Sequence, residues 1–142
     1  MRWFFGVFIS LLAIPFESEA RECRSGSSSV FSVSEWTAQI GDRGEADFFS
    51  WVDLNITLQN QTETGIRMSE GIVFFDDVLE RSISNIKLNP DAKVEASSSF
   101  EQSGRYYSDE GLERLISIRP EDVETLVCVT ATVDANGTVT RY

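Results

Sequence analysis

Three kinds of residue in this 142-residue chain could do chemistry: closely spaced carboxylates, two cysteines and a small group of aromatics. The adjacent acids are Asp76-Asp77 with Glu80, Asp109-Glu110, and Glu121-Asp122. Paired carboxylates support acid–base work when their surroundings keep one protonated and the other ionised. Neighbours on a strand point to opposite sides, and no patterning around these pairs marks a cleft, so solvated acidic loops are the expectation and no catalytic residue is assigned. The chain has no histidine, which removes the usual base for a serine or cysteine nucleophile and also histidine-based zinc and copper sites. Beyond Met1, Met68 is the sole methionine, too few for a thioether copper carrier. Gly41 and Gly44 in "GDRGEAD" lack the spacing of a phosphate-binding loop. The same stretch offers Asp42, Glu45 and Asp47 as oxygen donors. Calcium is the more specific reading of this donor set, although the spacing is not that of an EF-hand. A titration with millimolar calcium that releases no heat would remove that reading.

The cysteines are read against the start of the chain. Met1-Arg2 is a short positive start, residues 3–14 are almost unbroken apolar sequence, Pro15 ends the run, and Ser18-Glu19-Ala20 presents small residues for cleavage. This is the pattern of a secretory signal peptide over residues 1–20. Its apolar run is about 12 residues, against roughly 20 for a bilayer-crossing helix. The mature protein is thus expected to begin at Arg21, without a membrane span, in the periplasm or outside the cell. Arg21 and Glu22 directly precede Cys23, and two charged residues there argue against a lipid anchor. Cys128 is the only other cysteine, so an exported chain has one pairing to make, Cys23 to Cys128.

The formal net charge is −11 at pH 7. Nucleic acid needs a basic surface and is not an expected partner. Residues 21–29 read as a flexible leader of small and polar residues, and residues 30–142 as one domain with a single core.

The elements that must position these groups are strands. Val52, Leu54, Ile56 and Leu58 alternate with Asp53, Asn55 and Thr57, the period of two of a half-buried strand. Residues 30–40 precede it, residues 66–76 follow with Gly71 as a bulge, and "RSISNIKL" leads to a turn at Asn89-Pro90-Asp91. Residues 93–102 read as another strand. In "SDEGLERLISIRPEDVETL", Leu112, Leu115 and Ile116 fit a helical face while Ile116 and Ile118 alternate. The expectation is a loop into a short strand at 115–118, then one helical turn begun by Pro120. The last segment reads as a hairpin turning at Asn136-Gly137, with Val127, Val129, Ala131 and Val133 on its inner face. Seven or eight short strands with turns between them predict an all-β, immunoglobulin-like antiparallel sandwich.

On that scheme Phe49, Trp51 and Asp53 face away from the core, and Tyr106 and Tyr107 join them from a loop. Such an aromatic outer surface would hold a sugar, a peptide or a neighbouring protein. Trp36 and Trp51 compete for the place of the tryptophan that such sandwiches bury. Three sequons, at Asn55, Asn60 and Asn136, would carry sugars in a eukaryotic secretory pathway.

The stretch from Leu54 to Gln102 resembles the FxLYD-type immunoglobulin-like domains of bacterial envelope proteins. Asn60 and Thr62 fall at the first turn, Ile66 follows it, and Phe75-Asp76 stands for the aromatic-Asp pair. "DDVLER" departs from the pattern, since the family has a glycine turn there. The resemblance implies a sandwich serving as a binding or accessory module, with an unidentified envelope protein or glycan as partner. The sequence as a whole thus points to an exported, non-enzymatic interaction module, with a calcium-dependent adhesion or envelope-structural domain as the alternative and a carboxylate enzyme as the third reading.

Overall fold

The computed structural model describes residues 22–41 and 50–142. Among the described residues seven strands form two antiparallel sheets: β1 (Phe31–Ile40), β2 (Trp51–Asn60), β3 (Ile66–Asp77), β4 (Ser82–Lys87), β5 (Ser99–Tyr107), β6 (Val123–Asp134) and β7 (Val139–Arg141). The first sheet has the order β1-β2-β5 and the second β4-β3-β6-β7, so the chain crosses between sheets after β2, β4 and β5. This is the immunoglobulin-like sandwich that the alternation predicts.

Pairing with β1 on one edge and β5 on the other makes β2 the centre of the first sheet, and its burial alternates strictly. Val52, Leu54, Ile56 and Leu58 are all buried and meet Val73, Phe75, Val127 and Val129 from the second sheet. Each such side chain removed from water contributes about 1.5–3 kcal/mol before the entropy of ordering it. Trp36, half-buried on β1, sets its ring edge-on to Phe75 with centroids 5.6 Å apart, so Trp36 is the tryptophan that faces the core. The register of β3 against β6 shifts between Glu70 and Gly71, where the lone glycine marks a bulge. On β6 the same irregularity breaks the alternation after Val129. Thr132 is buried in place of the expected Ala131 and Val133, which turn to the outer face.

Two segments differ from expectation. Residues 93–98 contribute a single bridge, Val94 to Ile66, and the strand begins at Ser99 and runs on through Tyr106 and Tyr107. Residues 115–117 are not a strand but the last turn of helix α1 (Glu110–Ser117), and Ile118 is its extended C-cap. Asp109 caps it, accepting from the Leu112 amide at 2.7 Å. Leu112 and Leu115, three residues apart, bury the same face. A cap plus a buried pair outweighs the two-residue alternation of Ile116 and Ile118. The turn opened by Pro120 is present as a short 3-10 helix, Pro120–Asp122.

The start of α1 presses directly on β4. A Cβ on Gly111 would lie 2.0 Å from the Ile83 carbonyl oxygen, a backbone atom that cannot swing aside. Gly111→Ala is therefore expected to push the helix off the sheet and cost about 1–3 kcal/mol despite alanine's better helix propensity. A urea melt with an unchanged midpoint would show that the contact is looser than this.

Candidate functional site

The acidic pairs are absorbed by the fold. Asp76 and Asp77 are both buried at the end of β3. The Asp77 carboxylate accepts from Arg114 of α1 at 2.7 Å, from the Arg81 side chain at 3.0 Å, and from the backbone amides of Leu79 and Arg81. It thereby shapes the β3–β4 turn, where Glu80 takes a φ of 62°. The hydrogen bond from Arg114 holds the Asp77 carboxyl down to about 2, overriding the opposing effect of burial, with the Arg81 and Leu79 amides helping. Glu80 is exposed. Asp109 caps α1, Glu110 sits in its first turn, and Glu121 and Asp122 pair with Arg119. Asp42, Glu45 and Asp47, the calcium candidates, and Phe49 of the aromatic group lie outside the described residues.

The rest of the aromatic group is divided by the strand pleat. Trp51 and Tyr107 are directly opposite each other on β2 and β5, on the outer face, and their rings stack with centroids 4.2 Å apart. Tyr106, the next residue, turns inward and packs against the core. Its ring lies over Gly104, where an added Cβ would come within 2.5 Å of the hydroxyl. Tyr106 therefore leaves the candidate surface, because side chains of adjacent strand residues go to opposite faces.

Below the ring pair the outer face of the first sheet is a polar ladder. Asp53 and Arg105 form a two-pronged ion pair at 2.6 and 2.9 Å. The Arg105 hydrogen bond pulls the Asp53 carboxyl below its ordinary value, against a smaller opposing effect of burial. Asn55 reaches Thr37 across β1. At the end of β1, Gly41 donates to the Trp51 carbonyl at 2.8 Å, and an added Cβ there would sit 3.1 Å from that of Trp51. The indole thus stands on a closely packed base, beside fixed charged and amide groups.

The outer face of the second sheet carries a feature that strand patterning did not reveal. The Cys23–Cys128 disulfide is formed, with Cα atoms 5.6 Å apart, and it lays the leader against this face. Ser27 then pairs with Val129 through two backbone hydrogen bonds of 2.8 and 2.9 Å. Gly26 makes the approach feasible: its φ is +91° and an added Cβ would meet the Val129 carbonyl oxygen at 2.4 Å. The expected flexible leader is in this part a fitted strap. A groove of about 930 Å³ runs between it and a floor that includes Ile72, Phe74 and Leu126. The signal for this site was the cysteine pair, which carried the pairing but not the face on which it lies.

The three sequons fare differently. Asn60 is buried, donating to the carbonyls of Thr64 and Glu95 and accepting from Thr62. It is a structural residue that ties the β2–β3 turn to the following segment. Asn55 is half-buried on the polar face, and Asn136 is exposed in the β6–β7 turn.

These features define a class, the disulfide-stapled two-sheet β-sandwich. Among known proteins, no family model matches the chain, and no curated protein matches it. The solved structures include a match to the X-ray structure of Northeast Structural Genomics Consortium target SoR45, 8% identical over 80% of each chain, with a TM-score of 0.39. That likeness is too distant to bear on function. No helix among the described residues is long and apolar enough to cross a membrane.

Proposed function

We propose that this protein is an exported, non-catalytic interaction module of the periplasm or cell exterior, which binds an envelope glycan or protein through the outer face of its first sheet. The observation that carries this reading is the stacked Trp51–Tyr107 pair at the head of a polar ladder containing the Asp53–Arg105 ion pair. An aromatic platform beside fixed donors and acceptors matches a ligand with an apolar face and hydroxyl or amide edges. The oxidised cysteine pair supports export, since such bonds persist in oxidising compartments. The resemblance to FxLYD-type domains, themselves binding or accessory modules, supports the same reading.

The test is a titration of the oxidised protein with a panel of envelope glycans and peptides, followed by tryptophan fluorescence and calorimetry. A ligand that binds the natural protein is expected to lose about 30-fold in affinity on Trp51→Ala, about 2 kcal/mol for an aromatic anchor. Trp36→Phe, a change on the core side, is expected to leave binding intact and identifies which indole reports it. A panel that leaves both fluorescence and heat unchanged would refute the proposal.

A further inference from the structure

We infer that the chain forms a two-fold symmetric dimer, in which the outer edge of β5 pairs antiparallel with β5 of a second copy in a register centred on Ser103. The inference does not depend on what the Trp51 surface binds.

A sheet edge is a row of unpaired amides and carbonyls, and proteins blunt such rows with bulges, proline, lysine or short strands. The edge strands of the two sheets are β1, β5, β4 and β7. β1 carries a bulge between Val33 and Glu35, while β4 and β7 are only six and three residues long. β5 runs for nine residues with an unbroken register against β2, and it contains neither proline nor lysine. The Ser108 amide donates to the Ser50 carbonyl, and the Ser98 carbonyl accepts from the Asn60 amide. The even-numbered residues of β5 therefore turn their backbone groups toward β2, and the odd-numbered ones turn theirs outward. Ser99, Glu101 and Ser103 are exposed, and their outward amides and carbonyls have no partner among the described residues.

The side chains of β5 select another β5 as occupant, because the strand is self-complementary about Ser103. Antiparallel pairing on that centre sets Glu101 opposite the partner's Arg105, and Phe100 opposite the partner's Tyr106. Glu101 is in none of the ion pairs among the described residues. Arg105 keeps its two-pronged bond to Asp53, and the incoming carboxylate extends that pair into a run of alternating charge across the seam. Sliding one strand by two residues parts the opposite charges, and sliding it by four sets Glu101 against Glu101 or Arg105 against Arg105. Gln102 closes each sandwich beside the seam, accepting from the Asn89 amide and donating to the Lys87 carbonyl. Pairing from Glu101 to Arg105 exchanges about six backbone hydrogen bonds. The two first sheets then become one continuous sheet with both Trp51–Tyr107 pairs on the same face, and the two-fold contact uses up both β5 edges at once. The net charge of −11 repels two copies at a distance, yet in about 0.15 M salt that repulsion is screened beyond about 8 Å.

The test is sedimentation velocity of the oxidised protein over a concentration series in about 0.15 M salt, with amide hydrogen exchange of β5 at both ends of the series. The expected result is a monomer–dimer equilibrium in which the Glu101 and Ser103 amides exchange more slowly at high concentration. Ser103→Pro removes an outward amide at a place where an edge strand tolerates proline, and should weaken dimerisation at least tenfold. Glu101→Arg sets an arginine against the partner's Arg105 and should also weaken it at least tenfold. Both variants should keep the strand content of the natural protein by circular dichroism. If Ser103→Pro loses that content, Glu101→Arg decides alone. A protein that stays monomeric throughout the series overturns the inference. So does a dimer that survives both β5 variants, which places the contact elsewhere, or one lost in Trp51→Ala, which places it on the outer face. A monomer whose β5 amides slow only on adding a synthetic peptide of alternating threonine and valine also overturns it, in favour of a foreign strand at the same edge.

Discussion

Replacing Cys23 and Cys128 together by alanine is expected to destabilise the protein by about 4.7 kcal/mol, the chain-entropy value for a loop of about 100 residues. The bridge spans 105 residues and ties the leader to the centre of the second sheet. Without it, the leader keeps only the Ser27–Val129 pairing and the close approach at Gly26. Those contacts cannot repay the order of a segment free to leave. The natural protein and the double variant should be compared by urea unfolding. The midpoint should fall, and the slope should rise because an uncrosslinked unfolded chain exposes more surface. An unchanged midpoint would mean that the bridge adds nothing to the sandwich.

The second large effect concerns Asp77. Its carboxylate, 2% exposed, receives Arg114 from α1, the Arg81 side chain, and two amides of the β3–β4 turn. One buried anion thus ties a helix, a hairpin and a sheet end together. Asp77→Ala is expected to lower Tm by on the order of 10 °C, since it leaves those donors without their acceptor. The same group sets a pH dependence. Its folded value of about 2 lies below the ordinary 3.8, so the folded state binds this proton less readily than the unfolded state. Its contribution is fully present above pH 3.8, and it is lost as pH falls from 3.8 through about 2. Thermal melts between pH 5 and 2 should show a steeper decline in the natural protein than in Asp77→Ala. Parallel declines would show that Asp77 is not a principal acid-sensitive contact. Asp53, also lowered by its arginine, titrates in the same direction but stands partly in solvent, where water and salt screen the pair.

The alternation from Val52 to Leu58, the Asn136-Gly137 turn, the Pro120 turn and the single cysteine pairing were all legible in the sequence. Each is a local rule: a side-chain period of two, a turn dipeptide, a ring that fits the first helical position, and two cysteines with one way to pair. Trp51 on the outer face followed from the same period. Tyr107 was legible only once its strand was known. A loop would leave both tyrosines available, whereas the pleat of β5 sends Tyr106 inward and Tyr107 out beside Trp51.

What tertiary structure decided lies where two elements compete or where distant groups converge. Residues 115–118 alternate well enough for a strand, but the Asp109 cap and the burial of Leu112 and Leu115 against the sandwich select the helix. Asp76-Asp77 read as a solvated acidic pair because Arg114, 37 residues further on, cannot be placed beside Asp77 without knowing that α1 packs over the end of β3. The bulge that turns Ala131 and Val133 outward, and the face on which Cys128 meets Cys23, depend on strand register. Register is a property of pairing between segments far apart in the chain, and a shift of one residue exchanges the two faces. The sequence by itself therefore determined the architecture and the staple, while the packing of one sheet against its neighbours decided which residues each surface offers to a partner.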